Sequence, residues 1–297
     1  LNENNVVLDP FAGSGTTNIA ADHVGVRSFG VEAHPFVSRI AKSKLLWNSA
    51  VIEFQNFSKE VLQGAKKLRK RDVNYPPLIH KCYSDEILEK LDRLRRSWEK
   101  QNDGSDKSEL TWLVLTSILR VSSSAGTAQW QYVLPNKTKK KVTDPFDAFE
   151  LKIQIMVSDM MGFQRTSKSL ATILPIDARQ MDSIPDSSID IVITSPPYAN
   201  NYDYADATRL EMSFWGEIES WGDLHDSVRK YLICSNSQHA SKEKLQLEEL
   251  YESKHLYPIK EDLVEVCNKL SEERLLHGGK KHYHTMIAAY FLDLSRV

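Results

Sequence analysis

Apolar residues follow two different rhythms along this chain. At the start, the short run NVVLD (Asn5–Asp9) predicts a strand, PFAGSGTT follows it, and NIAADHVG predicts a helix ending near Gly25. RSFGVE (Arg27–Glu32) predicts a second strand that ends on an acid, and HPFVSRIAKSKLLWNSA predicts a second helix starting after Pro35. Short continuous apolar runs separated by helical patterns mark strands buried on both faces of a parallel sheet. The order strand, turn, helix, strand, acid, helix predicts the opening of a doubly wound α/β domain.

The rhythm then lengthens. Residues 49–165 carry much charge and a mainly helical periodicity. Ser84–Lys100 predicts an amphipathic helix with Ser84 as its N-cap, and Ser108–Ser124 a more buried one. Val133–Phe146 (VLPNKTKKKVTDPF) predicts a basic loop with a proline near each end, and no strand alternation is convincing in this region. The α/β rhythm returns with ATILPIDARQM (Ala171–Met181), a third strand ending at Asp177, and with SSIDIVITSPPY, a fourth. Residues 205–285 are polar and predict helix, and YHTMIAAYFLDLSRV predicts a last helix. The expected organisation is therefore one α/β domain built from 1–48 and 166–297, interrupted by a mainly helical insertion at 49–165.

Composition narrows the class. With 297 residues, 41% hydrophobic and 26% charged, the chain reads as soluble and globular, with room for one large domain or two ordinary ones. No apolar run approaches the roughly 18 residues that span a bilayer. The N-terminus lacks a basic segment followed by an apolar one, so neither a membrane segment nor a signal peptide is expected. The first residue is Leu1 and a strand begins almost at once, so the chain is expected to be a piece of a longer protein. Cys82, Cys234 and Cys267 are far apart and predict a reducing cytoplasm, no disulfide framework and no structural zinc. A net charge of -2 leaves a nucleic-acid partner open, because a basic face can sit on a neutral protein.

Two loops carry candidate chemistry. In the first, Gly13 and Gly15 lie between a strand and a helix, where a tight turn lets a ligand approach the backbone. Glu32 ends the next strand, 23 residues after Asp9, where a carboxylate can accept hydrogen bonds from both hydroxyls of a ribose. A P-loop would need a lysine that is missing here, and the third glycine of a dinucleotide loop is replaced by Asn18. A ribose-bearing ligand without a pyrophosphate fits better, and S-adenosylmethionine is the candidate; a plain glycine turn with a structural acid remains the alternative. Asp177 is placed to take an adenine amino group, or else to form a turn or a helix cap. In the second loop, Ser195-Pro196-Pro197-Tyr198 closes the fourth strand with a hydroxyl, two rigid residues and an aromatic ring. Alone, it would read as a stiff surface turn.

Together, DPFAGSGT and TSPPY resemble the motifs of the DNA amino-methyltransferases, which methylate N4 of cytosine or N6 of adenine. The resemblance is close over residues 5–45 and 170–204 and weak elsewhere. It implies a class I, Rossmann-like methyltransferase sheet in which the first and fourth strands are neighbours. It implies S-adenosylmethionine held by Asp9, Pro10, Phe11, Gly13, Gly15, Thr16, Glu32 and Asp177, and catalysis by Ser195, Pro196, Pro197 and Tyr198, with no metal. The Ser195 hydroxyl and the Pro196 carbonyl would accept the hydrogens of the exocyclic amine, and Tyr198 would stack on a base flipped from duplex DNA. Serine before Pro-Pro is typical of cytosine-N4 enzymes; adenine-N6 methylation is the alternative, then RNA guanine-N2 methylation or a non-catalytic binder of the cofactor. The expected setting is restriction-modification or phage defence, with a cognate restriction or defence protein as a further partner.

The resemblance also frames the rest of the chain. The insertion is the expected target-recognition region. The final Leu294-Ser295-Arg296-Val297 resembles the start of a further strand, and the family's usual N-terminal helix is missing. Asn200, Asn201, Tyr202 and Tyr204 are candidates for the base pocket, although the asparagines could equally cap the next helix. KKLRKR (Lys66–Arg71) and KTKKK (Lys137–Lys141), the latter close to Trp130 and Tyr132, are candidate phosphate contacts or merely solvated faces. HGGKKHYHT (His277–Thr285) reads as a glycine-rich basic loop rather than a metal site.

Overall fold

Val6 to Asp9 pairs on both sides through parallel ladders, and this strand organises the sheet. The computed structural model describes residues 4–128, 132–163 and 169–297. Strand β1 (Val6–Asp9) leads through the glycine loop to helix α1 (Thr16–His23), and strand β2 (Arg27–Val31) leads to α2 (Pro35–Lys44). Pro35 opens α2 because its fixed φ and missing N–H suit a first helical turn. The second helix is shorter than its pattern predicts; Leu45–Asn48 tighten into a 3-10 turn.

The chain then leaves the sheet for α3 (Val51–Lys67), α4 (Pro77–Cys82), α5 (Asp85–Gln101) and α6 (Asp106–Ser122). Ser84 caps α5 as expected, its Oγ accepting the Ile87 N–H at 3.5 Å. Two short strands follow, β3 (Ala125–Thr127) and β4 (Val133–Thr138), and they pair antiparallel. This corrects the expectation of an insertion without strands, and of a loop over all of Val133–Phe146. A three-residue strand with a register shift at Ala125 and Gly126 is too short and irregular to show as alternation. Helix α7 (Pro145–Phe163) ends the insertion, and Trp130 lies outside the described residues.

Strand β5 (Ala171–Leu174) stops three residues before the predicted end at Asp177, which lies in the following turn. Strand β6 (Ile191–Val192) pairs for only two residues, but the Asp190 and Ile193 N–H groups extend the ladder to Val6 and Leu8, each at 3.0 Å. The sheet is parallel throughout, in the order β5-β2-β1-β6, so the first and fourth sheet strands are neighbours as expected. Short helices α8 (Arg209–Trp215), α9 (Leu224–Ser227), α10 (Ser237–Lys242) and α11 (Leu247–Tyr251) follow, then α12 (Lys260–His277) and α13 (Tyr283–Leu294). The closing residues form no strand, contrary to expectation. They turn after α13, and Val297 packs near Leu8.

The largest apolar core does not sit on the sheet. It joins Phe54 and Val61 of α3, Leu88 and Leu94 of α5, Trp112 and Leu115 of α6 and Phe149 of α7 to Phe36 of α2 and Phe214 of α8. Around the sheet the apolar clusters are small, such as Leu8, Val31, Ala178 and Ile184. The helical insertion therefore shares its interior with elements on either side of it in sequence. Among the described residues no helix is long and apolar enough to cross a membrane. The three cysteines are buried and unpaired.

Candidate active site

The glycine loop takes its shape from two left-handed residues, Gly13 at φ +52° and Gly15 at φ +81°. Gly15 precedes the first turn of α1, and a side chain there would press on Ala41 at 3.2 Å. Asn18, where a dinucleotide loop would have glycine, is fully buried and donates to Ser28 Oγ at 3.1 Å. Gly30 makes room for it, because a Cβ would come within 2.3 Å of Asn18 Oδ1.

The second loop is tied to the first. Asp9 is buried at the end of β1, where its Oδ1 accepts the Phe11 N–H at 3.1 Å and the Thr194 hydroxyl at 2.7 Å. Beyond Thr194, the Tyr290 hydroxyl of α13 donates to the Pro197 carbonyl at 2.7 Å. The Tyr198 N–H donates to Tyr204 Oη at 3.0 Å, and the Tyr283 hydroxyl donates to the Ala199 carbonyl at 3.3 Å. The loop is thus held at Thr194, Pro197, Tyr198 and Ala199. Ser195 Oγ and the Pro196 carbonyl have no hydrogen-bond partner among the described residues.

Both loops face one cavity of about 390 Å³. Pro10, Phe11, Gly13 and Glu32 line it from the cofactor-loop side, and Ser195, Pro196, Pro197 and Tyr198 from the other. Val31, Ala33, His34 and Val37 form one apolar and polar wall, and Tyr231, Leu232 and Ile233 another. Asp9, Gly15 and Thr16 do not line it. Asp9 braces the two loops from beneath, and Gly15 and Thr16 start the helix.

Glu32 is half-buried with its carboxyl on the cavity wall, where Oε1 accepts the His34 N–H at 2.7 Å. Burial raises its pKa to about 7, against the lowering by the backbone hydrogen bonds from His34 and Gly13. A carboxyl so placed is an acceptor short of donors, which suits the paired hydroxyls of a ribose. His34 is buried beside it, shares a 2.7 Å hydrogen bond with Thr208 Oγ1, and is pushed by burial down to about 4, so its ring is neutral. Asp177 also lines the cavity, but its carboxylate accepts from Arg179, with Nη2 at 2.6 Å and Nε at 3.0 Å. Arg179 in turn donates to Asp293 Oδ1 at 2.8 Å.

Tyr198 is 62% exposed at the cavity mouth, which leaves its ring free to meet a flat partner. Tyr204 lines the cavity, while Tyr202 stacks on Tyr132 at 5.1 Å between centroids. The asparagines are not on the cavity wall. Asn200 Oδ1 accepts the Tyr202 N–H at 3.2 Å, and Asn201 Oδ1 accepts the Ser237 N–H at 2.7 Å. Thr194, His34, Thr208 and Tyr290 were missed from the sequence. Thr194 adjoins the motif and His34 lies two residues past Glu32, so position could have flagged both; Thr208 and Tyr290 give no local signal.

The expected phosphate clusters lose members to internal contacts. Lys139 donates to the Arg120 carbonyl at 2.6 Å, and burial lowers its pKa. Arg71 pairs with the buried Asp92 at 3.0 Å. Among the described residues no group of His, Cys, Asp or Glu is arranged to hold a metal ion.

The chain is similar to known DNA methyltransferases. Residues 1–43 match the family model described as DNA methylase. The Type II methyltransferase M.BsoBI of Geobacillus stearothermophilus is 26% identical over 336 aligned positions, covering 99% of this chain and 65% of its own. The Type II methyltransferase M.AvaI of Nostoc sp. is 24% identical, covering 98% of this chain and 64% of its own. The Type II methyltransferase M.MjaII of Methanocaldococcus jannaschii is 28% identical over 100 residues, or 34% of this chain. The chain thus spans just under two thirds of the two longer matches, and their similarity runs through the helical insertion as well as the motifs. No solved structure matches the chain.

Proposed function

We propose that this chain, which is similar to DNA methylases over residues 1–43 and to Type II methyltransferases over nearly its whole length, transfers a methyl group from S-adenosylmethionine to the exocyclic amine of a base in DNA, with N4 of cytosine as the preferred acceptor. In this reading residues 1–48 and 166–297 form a Rossmann-like class I catalytic domain, and 49–165 recognise the target. The Type II names of its relatives support a role as the modification arm of a restriction-modification system.

One observation carries the reading: the glycine loop and the Ser-Pro-Pro-Tyr loop, 180 residues apart in sequence, face a common cavity and are joined by the Thr194–Asp9 hydrogen bond. The cofactor supplies an electrophilic methyl on sulfur. Glu32 takes the ribose hydroxyls, and Phe11, Val31 and Val37 offer apolar surface to the adenosyl group. Among the described residues, Ser195 Oγ and the Pro196 carbonyl are acceptors left open in a loop fastened at Thr194, Pro197, Tyr198 and Ala199. They suit the two hydrogens of an amine, drawing its nitrogen lone pair toward the methyl. The proline pair stiffens this loop, so little ordering entropy is lost on reaction. The serine before Pro-Pro supports cytosine.

Digestion of treated duplex DNA to nucleosides, with mass spectrometry of the products, tests the proposal. N4-methylcytosine is the expected product. N6-methyladenine would reassign the base and keep the mechanism, and no methylated nucleoside from a cofactor-binding protein would refute the activity.

A further inference from the structure

A second cavity, of about 560 Å³, lies on the far side of the segment that walls the first. Tyr231, Leu232 and Ile233 face the candidate active site, while Arg229 and Ser237, at the two ends of that stretch, face the second cavity. Four lysines line it: Lys242 at the end of α10, Lys244 just after it, and Lys280 and Lys281 before α13. All four are exposed, and none is in an ion pair among the described residues. Among the described residues no Asp or Glu lines this cavity. Nearby, Arg229 pairs with the buried Asp203 at 2.7 Å, and His225 Nε2 lies 3.0 Å from the Glu243 carboxylate. On a chain of net charge -2 this is a concentrated positive field.

The site also has a flat apolar element. Trp221 carries the Arg229 guanidinium over its ring at 4.2 Å and is still 42% exposed. Lys244 sits at φ 54°, a backbone conformation that side chains rarely adopt, and Gly278 and Gly279 are left-handed in the loop bearing the other lysines. That loop is fastened to the candidate active site, because Tyr283 donates to the Ala199 carbonyl just past the Ser-Pro-Pro-Tyr motif.

We propose that this groove binds the phosphodiester backbone of the nucleic-acid substrate beside the target nucleotide, with Lys242, Lys244, Lys280 and Lys281 on successive phosphates and Trp221 against a base or sugar. The inference rests on the methyltransferase reading. It shifts backbone contact away from the two clusters suggested by the sequence, where Lys139 and Arg71 are turned to internal partners. A small anion would need one or two cations; four unpaired lysines from two chain segments, with an indole between, match an extended polyanion.

The test measures duplex DNA binding by fluorescence anisotropy across a range of salt concentrations. The parent is compared with Lys242→Ala/Lys244→Ala, Lys280→Ala/Lys281→Ala, the fourfold variant and Trp221→Ala. Far-UV circular dichroism and the Kd for S-adenosylmethionine establish folding. Folded variants should show a salt slope shallower by about 0.9 for each phosphate that is no longer neutralised, with cofactor affinity unchanged. Trp221→Ala should weaken binding without changing the slope. A parental slope in both lysine pairs overturns the groove, and if the parent still methylates DNA the activity stands. A parental slope there together with a reduced one in Lys140→Ala/Lys141→Ala moves the phosphate-binding face to the insertion. Neither salt-dependent binding nor methylation by the parent refutes both readings.

Discussion

The helical insertion and the sheet divide the work of this molecule unequally. The insertion holds most of the largest core, with Trp112, Phe54, Phe149, Leu88 and Leu115 fully buried, yet none of its described residues lines the candidate active-site cavity. The sheet has strands of two to five residues and small apolar clusters, yet its strand ends hold the glycine loop, Glu32 and the Ser-Pro-Pro-Tyr loop. Burial of apolar area stabilises, whereas a site needs exposed acceptors and loops whose backbone is not used up in ladders. The two demands are met in different places. Because Phe36 and Phe214 belong to the insertion's core, the sheet half borrows stability from it.

That division can be broken most forcefully from the helical side. Phe149→Ala should destabilise the protein by about 3–5 kcal/mol, as truncation of a fully buried aromatic does. In urea, loss of far-UV helicity and release of S-adenosylmethionine should coincide, since both halves share one interior. Separate transitions would show that the sheet stands by itself.

The reverse experiment strikes the site and spares the core. Ser195→Ala keeps the loop shape, because Thr194 and Pro197 remain fastened, but removes one acceptor of the substrate amine. Single-turnover methylation should slow by about 10²–10³, or 2.7–4 kcal/mol, with unfolding and cofactor binding little changed. A rate within twofold of the parent would remove Ser195 from the chemistry.

Glu32 sharpens the comparison because it is a half-buried carboxyl that, in the proposed function, takes the hydroxyls of a ligand. Its pKa of about 7 in the free protein exceeds the ordinary 4.5, chiefly through burial. Ribose hydroxyls donate to the ionised carboxylate, so cofactor binding favours ionisation and releases a proton below pH 7. Affinity should therefore rise with pH between about 4.5 and 7, by at most tenfold per unit, and level off above. Stability of the free protein has the opposite sign in that window: the folded state binds more protons than the unfolded one, so this contribution is lost as pH rises through 7. His34 works against it: burial lowers its pKa from 6.5 to about 4, so between those values the unfolded state binds the extra proton and this contribution to stability grows as pH rises. Calorimetry at pH 5.5 and 8 measures the difference, which Glu32→Gln should flatten while weakening binding at pH 8 by about 1–3 kcal/mol.

The same contrast explains what could be read from sequence. The sheet half was legible because its signals are local: an apolar run ending on Asp9 or Glu32, two glycines with left-handed backbones, and a Pro-Pro pair after a strand. The long helices were legible from periodicity and from the Ser84 cap. The hairpin was missed because Ala125–Thr127 is too short to alternate. The basic groove was missed because its lysines come from segments nearly 40 residues apart, whereas Lys137–Lys141 made a compact run in sequence but not a free face. Asp177 looked like a free strand-end acid, but strand β5 ends at Leu174, and Asp177 in the turn beyond it pairs with Arg179 two residues on.

The smallest expected effect belongs to a hydrogen bond that no sequence pattern suggested. Tyr290 is buried on α13, nearly 100 residues from the loop it serves, and its hydroxyl fixes the Pro197 carbonyl at 2.7 Å. Tyr290→Phe keeps the ring and its packing but leaves that carbonyl without its donor. Loss of one neutral hydrogen bond costs about 0.5–1.5 kcal/mol. The loop is also held at Thr194 and Tyr198, so it should sample other positions rather than collapse. A positioning role predicts that the loss appears in the single-turnover rate, by a few-fold, while the melting temperature and the Kd for S-adenosylmethionine stay near the parent's. A drop in melting temperature with an unchanged rate would make Tyr290 a packing residue, and would return the Ser-Pro-Pro-Tyr loop to the stiffness of its prolines alone.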